Sequence, residues 1–115
     1  MITYSRCKKR KVFAQLYVNG NFAGFNVNHG FIELCKCDLE KENPCCLHAE
    51  VALLHGRSFC DTDFIEVQVN YPPCLNCAKY MVFKSVDKVV YSNHRDDKVQ
   101  GIHHLIEFGV RVCRK

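Results

Sequence analysis

The sequence predicts an α/β domain: five strands in one mixed sheet, the last two of them parallel, with helices carried between strands. Three observations predict it. Asn19-Gly20 joins two β-rich stretches as a two-residue hairpin turn. Beyond that hairpin, short branched stretches alternate with segments of helical period. The last two strands are separated by a segment of helix length, which makes them parallel where a tight turn would make them antiparallel.

Taken in order, Met1 to Lys11 carries the densest charge, Arg6 and then Lys8-Lys9-Arg10-Lys11. This is a solvated approach to the first strand, or a source of one or two phosphate contacts. Val12 to Val18, aromatic and branched, is the first strand, and Asn21 to Asn26 returns beside it. Asn26-Val27-Asn28-His29-Gly30 reads as loop, and Phe31 to Leu34 as a short extended piece. Cys35 to Cys46, polar and broken by Asn43-Pro44, is a connection. The first helix covers about His48 to His55 and ends near Gly56. Phe64 to Val69 alternates as a strand should, and Pro72-Pro73 stops it. The second helix runs from about Leu75 to Lys84, with Ala78, Met81 and Val82 on its apolar side. Val86 to Tyr91 is a strand whose apolar run Val89-Val90-Tyr91 calls for a central place. Ser92 to Asp97 is a polar loop. Val99 to Phe108 places Ile102, Leu105, Ile106 and Phe108 at helical spacing, Gly109 closes it, and Val110 to Cys113 is the last strand. Beyond its first pair the sheet is expected to be mainly parallel.

At 115 residues the chain makes a single domain, residues 1–115, with no internal linker or repeat. Its 48% hydrophobic and 24% charged residues are ordinary for a globular protein. No apolar run reaches the length of a membrane span, and no secretory signal opens the chain. Nine cysteines invite a disulfide scaffold, but the odd count and metal-type spacing point to a reducing cytoplasm. The net charge of +4 suits a phosphorylated small molecule or a nucleic acid equally.

The chemistry concentrates in two stretches, Cys45-Cys46-Leu47-His48-Ala49-Glu50 and Pro72-Pro73-Cys74-Leu75-Asn76-Cys77. Zinc takes nitrogen and sulfur donors in a tetrahedron, and a catalytic site leaves one position open. His48, Cys74 and Cys77 fill three positions, two thiolates cancelling the charge of Zn²⁺. Cys74 and Cys77, three apart after Pro-Pro, fall on the first turn of a helix, where the macrodipole favours thiolates. Glu50 is then free to shuttle protons. On a regular helix His48 and Glu50 would point about 200° apart. They converge only if His48 stands at the helix start, before helical geometry is established.

His-x-Glu followed by Pro-Cys-x-x-Cys resembles the signature of zinc-dependent base deaminases. Over about residues 5 to 113 the chain resembles the cytidine deaminase superfamily, and within it the deoxycytidylate (dCMP) deaminases. Pro73-Cys74-Leu75-Asn76-Cys77-Ala78-Lys79, then Lys88-Val89-Val90-Tyr91, look like that family's metal helix and following strand. Gly101-Ile102-His103-His104-Leu105 through Gly109-Val110-Arg111-Val112 is similar to its terminal helix and strand. Cys7-Lys8-Lys9-Arg10-Lys11-Val12 resembles its basic approach to the first strand, and Gly24-Phe25-Asn26 its hairpin-closing Gly-Tyr-Asn. The resemblance implies a three-layer α/β/α fold, a catalytic zinc on His48, Cys74 and Cys77, and Glu50 as proton shuttle. It implies that Asn26 hydrogen-bonds the substrate and that the Ala49 backbone meets the pyrimidine. An assembly of identical subunits is implied as well. The chain departs from the family in two places. The N-terminal helix is almost absent, and Val27-Asn28-His29 replaces a glycine-rich continuation, as in a streamlined, virus-like member working in a host cytoplasm.

The reaction expected is hydrolytic deamination of a free cytosine nucleotide, dCMP to dUMP. Arg95, Lys9, Arg10 and Arg6 are candidates for the 5′-phosphate. Tyr91 closes a strand at the end where such sheets bind ligands, so it packs beside the nucleotide or simply at the edge of the core. Two alternatives stand beside this reading. One is a deaminase of a base in tRNA or single-stranded DNA, which the basic N-terminus would suit. The other is a zinc-stabilised module without catalysis, against which the intact Glu50 argues. A second, structural zinc on Cys35 and Cys37 with Cys7 or His94 is conceivable, but reduced thiols are the favoured account of the remaining cysteines. His29, His55, His103 and His104 are read as surface or helix residues.

Overall fold

In a computed structural model, residues 3–4, 12–27, 29–30, 46–94 and 99–115 are described, with backbone alone at 3–4, 29–30 and 46–47. Strand β1 (Phe13–Val18) and strand β2 (Asn21–Val27) form the hairpin. Its turn has positive φ at both Asn19 (53°) and Gly20 (84°), the type I′ geometry whose twist matches the flanking strands. Asn19 also ties the turn to the next strand. Its Nδ2 donates to Asp63 Oδ1 at 3.0 Å and its Oδ1 accepts from Phe64 N–H at 2.8 Å. A register shift between Leu16 and Tyr17, paired with Gly24 and Phe22, leaves Ala23 as an extra residue and bends the hairpin.

Helix α1 (Ala49–Leu54) precedes strand β3 (Ile65–Val69), helix α2 (Leu75–Phe83) precedes strand β4 (Lys88–Tyr91), and helix α3 (Gln100–Glu107) precedes strand β5 (Arg111–Arg114). The sheet order is β2-β1-β3-β4-β5. Pairs β3–β4 and β4–β5 are parallel, with Val67 beside Val89 and Val89 beside Val112. Of the three pairs beyond the hairpin, β1–β3 is antiparallel, with Ala14 opposite Val69. The reason is that β1 lies between the helix-linked β2 and β3, which run the same way without touching. Strand β4 is interior, as its apolar run requires, but the middle place goes to β3. Asn26 and Val27 continue β2 and His29–Gly30 are also strand, so four of the five residues expected as loop are extended, and Asn28 lies outside the described residues. The pairs Thr3–Tyr4, His29–Gly30 and Cys46–Leu47 form a small separate antiparallel sheet. The extended piece expected at 31–34 and most of the connection to Cys46 lie outside the described residues.

The core follows from alternation. Ala14 and Leu16 of β1, Ile65, Val67 and Val69 of β3, and Val89 and Tyr91 of β4 share one sheet face and are buried. Leu53 and Leu54 of α1, Ala78 and Met81 of α2, and Ile102 and Leu105 of α3 join them in one cluster. The opposite alternation carries a polar row, in which Gln68 Nε2 donates to Glu66 Oε2 at 2.7 Å and Lys88 lies 3.8 Å from Glu66. Beside that row Phe13 and Phe25 stack at 6.0 Å. Among the described residues no helix is long and apolar enough to cross a membrane. The consequence for function is that α1 and α2 pack together, with α2 starting just beyond the C-terminal end of β3.

Candidate active site

His48 is the N-cap of α1, with extended backbone (φ −70°, ψ 149°). Its side chain therefore leaves the chain before the helical period begins, and Glu50, in the first turn, arrives at the same place. Cys74 is the N-cap of α2 (φ −71°, ψ 169°), and its sulfur accepts from the Cys77 backbone N–H at 3.4 Å. Pro72-Pro73 holds this approach extended, and the capping sulfur satisfies a helix N–H that would otherwise lack a partner.

The two helix starts bring three donors together. His48 Nδ1 lies 3.0 Å from Cys77 Sγ and 3.6 Å from Cys74 Sγ. All three donor atoms fall within 4.8 Å of one another, and no other such trio of His, Cys, Asp or Glu occurs among the described residues. Zn–S bonds near 2.3 Å and Zn–N bonds near 2.0 Å in a tetrahedron set neighbouring donors about 3.5 Å apart. The observed distances bracket that value, and one imidazole with two sulfurs is a zinc donor set. The residues fit the ion.

Glu50 completes the group. It is 3% exposed, the one buried charged residue among those described. Burial raises its pKa above the ordinary carboxyl value, while hydrogen bonds from a backbone N–H and from Cys77, together with the nearby His48, pull the other way. The Cys74 thiol is brought down to about 3, first by its hydrogen bond with Cys77, against the effect of burial and with help from His48. The result is a thiolate at one helix start and, at the other, a carboxyl whose pKa burial raises. Such a site can bind a soft divalent cation and move protons beside it.

The other expected site residues are placed as follows. Ala49 opens α1 between His48 and Glu50 and is fully buried. Asn26 lies half-buried near the end of β2, its Oδ1 accepting from the Val27 N–H at 3.0 Å. Tyr91 is a core residue, 6% exposed, with its hydroxyl 3.1 Å from His94 Nδ1. Arg95 lies outside the described residues, as do Arg6, Lys9 and Arg10, and so do Cys7, Cys35, Cys37 and Cys45, which the structural-zinc alternative and its competitors involve. Of Cys46 only the backbone is described.

One residue escaped sequence reasoning. The side-chain Oδ1 of Asn70 accepts from the Phe13 N–H at 2.7 Å, and its carbonyl accepts from Ser92 Oγ at 3.2 Å and from the Asn93 side-chain amide. Asn70 thus ties β1 and the segment after β4 to the segment that leads into Cys74. Its signal was an amide placed between the end of a strand and Pro72-Pro73.

No family model and no curated protein matches the chain. Solved structures do. The dCMP deaminase of cyanophage S-TIM5, in complex with dCMP and dUMP, is 30% identical over 96% of this chain and 85% of its own, with a TM-score of 0.76. The apo form of that enzyme matches at 28% identity over 98% and 84%, with a TM-score of 0.67. The Rib2 deaminase of Aspergillus oryzae shares the fold at 12% identity, covering 90% of this chain and 71% of its own, with a TM-score of 0.56.

Proposed function

Since the chain belongs to the dCMP deaminases of the cytidine deaminase superfamily, we propose that it hydrolyses the exocyclic amine of a free cytosine nucleotide, converting dCMP to dUMP and ammonia. Membership makes it a deaminase. The carrying observation for the mechanism is the burial of Glu50 against the His48, Cys74 and Cys77 trio. Those three side chains would hold a zinc ion, which when bound makes water acidic enough to attack ring C4 at neutral pH. Glu50 moves the protons. Its carboxylate accepts one from the attacking water and delivers it to ring N3, then takes the remaining hydroxyl proton and passes it to the amine, which leaves as ammonia. A carboxyl raised by burial suits both tasks, because it takes and releases protons closer to neutrality than an exposed one. The buried helix start that carries Ala49 offers backbone groups to the pyrimidine, and Asn26 a side-chain amide to the sugar or base. Tyr91 packs beside the nucleotide, and Arg95, with Arg6, Lys9 or Arg10, neutralises the phosphate.

The similar cyanophage enzyme is crystallised with dCMP and dUMP, which favours that substrate over an oligonucleotide. By the same reading the protein works in the cytoplasm as an assembly of identical chains. The test is to incubate purified, zinc-loaded protein with cytidine, dCMP, dCTP and 5-methyl-dCMP, and to follow the loss of cytosine absorbance. dCMP is expected to turn over fastest. Deamination of a cytosine in single-stranded DNA or an adenine in tRNA, with none of dCMP, would replace this substrate assignment.

A further inference from the structure

Gly101 is the second residue of α3 and is buried. Its φ is not in the left-handed region, so its backbone does not call for glycine. The surroundings do. A Cβ built on Gly101 would overlap the Pro73 carbonyl oxygen, and would stand 2.9 Å from the Cys74 carbonyl oxygen and 3.0 Å from its carbon. Real Cβ atoms essentially never come closer than 3.0 Å, and the atoms in the way are backbone, which cannot swing aside. The start of α3 therefore rests directly on the peptide that carries the Cys74 sulfur.

The peptide that follows it, Cys74–Leu75, is restrained as well. The Cys74 carbonyl accepts the Ala78 N–H at 2.9 Å, the bond that opens α2. Ile102 and Leu105, one and four residues further on, anchor α3 in the core. A methyl group at position 101 has to displace either the 73–74 peptide or the start of α3, and in both cases the contact that fixes Cys74 is lost. We propose that Gly101 is a positioning residue, whose missing side chain lets α3 clamp the Pro73–Cys74 peptide and so fixes one sulfur of the metal-binding trio. This rests on the metal reading above, but not on the substrate assigned there.

The test compares Gly101→Ala with Gln100→Ala, an exposed neighbour on the same helix. Zinc affinity is measured by competition with a chromogenic chelator, and the cobalt(II)-loaded protein is read by its sulfur-to-metal charge-transfer band. Helix propensity favours alanine over glycine, so without a clash Gly101→Ala would be at least as stable as the parent chain. The expected result is zinc binding weaker by tenfold or more in Gly101→Ala, with a weakened cobalt band, while Gln100→Ala keeps the parent values. Parent-like affinity and band in Gly101→Ala overturn the proposal. So does a loss of stability that leaves both unchanged. Should Gly101→Ala not fold, hydrogen exchange on the parent chain decides. Zinc loading is expected to slow exchange from the His103 amide, which opens the α3 ladder by donating to the Val99 carbonyl, as well as in the first turn of α2. Protection confined to α1 and α2 overturns the clamp. A parent chain that takes up no zinc overturns the metal reading and this inference together. Both readouts are made without turnover, so inactivity toward dCMP bears on the substrate alone.

Discussion

At Glu50 the cost of burial becomes part of the chemistry. An exposed glutamate is ionised at neutral pH and is a weak base with no proton to give, whereas burial raises this one. Glu50→Gln keeps the volume and polarity but removes the proton carrier. Turnover of the cytosine nucleotide is expected to fall about 10²- to 10⁴-fold, with zinc content unchanged. A variant within threefold of the parent would show that another group carries the proton. The raised pKa also sets a pH dependence for the metal-free chain. The folded state holds the Glu50 proton above the ordinary value of 4.5, so the contribution to stability is full below 4.5 and is lost as pH rises through the folded pKa. Cys74 runs the other way. Its folded value of about 3 against an ordinary 9.0 contributes stability that is present above 9 and lost as pH falls through about 3. In urea titrations the metal-free Glu50→Gln chain should therefore outlast the metal-free parent at pH 8, with the gap closing toward pH 4.5. A gap independent of pH would mean that Glu50 is not raised.

At the scale of elements, two glycines separate two kinds of constraint. Gly20 has a positive φ and open space, with nothing within 4 Å of where a Cβ would be. Gly101 has an ordinary φ and no space. Gly20→Ala should accordingly cost only the left-handed backbone penalty, about 1–2 kcal/mol, seen as a lower urea midpoint with an unchanged slope. The turn at 19–20 was legible because Asn-Gly between β-rich stretches encodes its own dihedrals. The starts of α1 and α2 were legible for a similar reason. A proline break followed by a helical pattern fixes where each N-cap falls, and with it the directions of His48, Glu50, Cys74 and Cys77. The contact at Gly101 was not legible, since nothing in its neighbours along the chain refers to Pro73.

At the scale of the whole molecule, the metal-binding trio joins α1 to α2 and hence the hairpin half of the sheet to its parallel half. Zinc bound to the native state alone should raise the thermal midpoint. With free zinc at 100 times its dissociation constant, the gain is about 2.7 kcal/mol, measurable by calorimetry before and after chelation. No shift on chelation would argue against a bound metal. Packing adds a second whole-molecule term. Leu16, fully buried on the shared sheet face, should lose about 2–5 kcal/mol on truncation to alanine.

What the sequence determined by itself was the inventory of local geometry: the hairpin, the order of strands and helices, and the residue types presented at two helix starts. Each depends on residues within a turn or two of one another, so spacing and propensity were sufficient. Only the tertiary structure decided which strand took the middle of the sheet and that Asn70 binds three segments together. It alone set α3 against the Cys74 peptide. Those outcomes depend on groups far apart in sequence, brought to contact by the common burial of one sheet face.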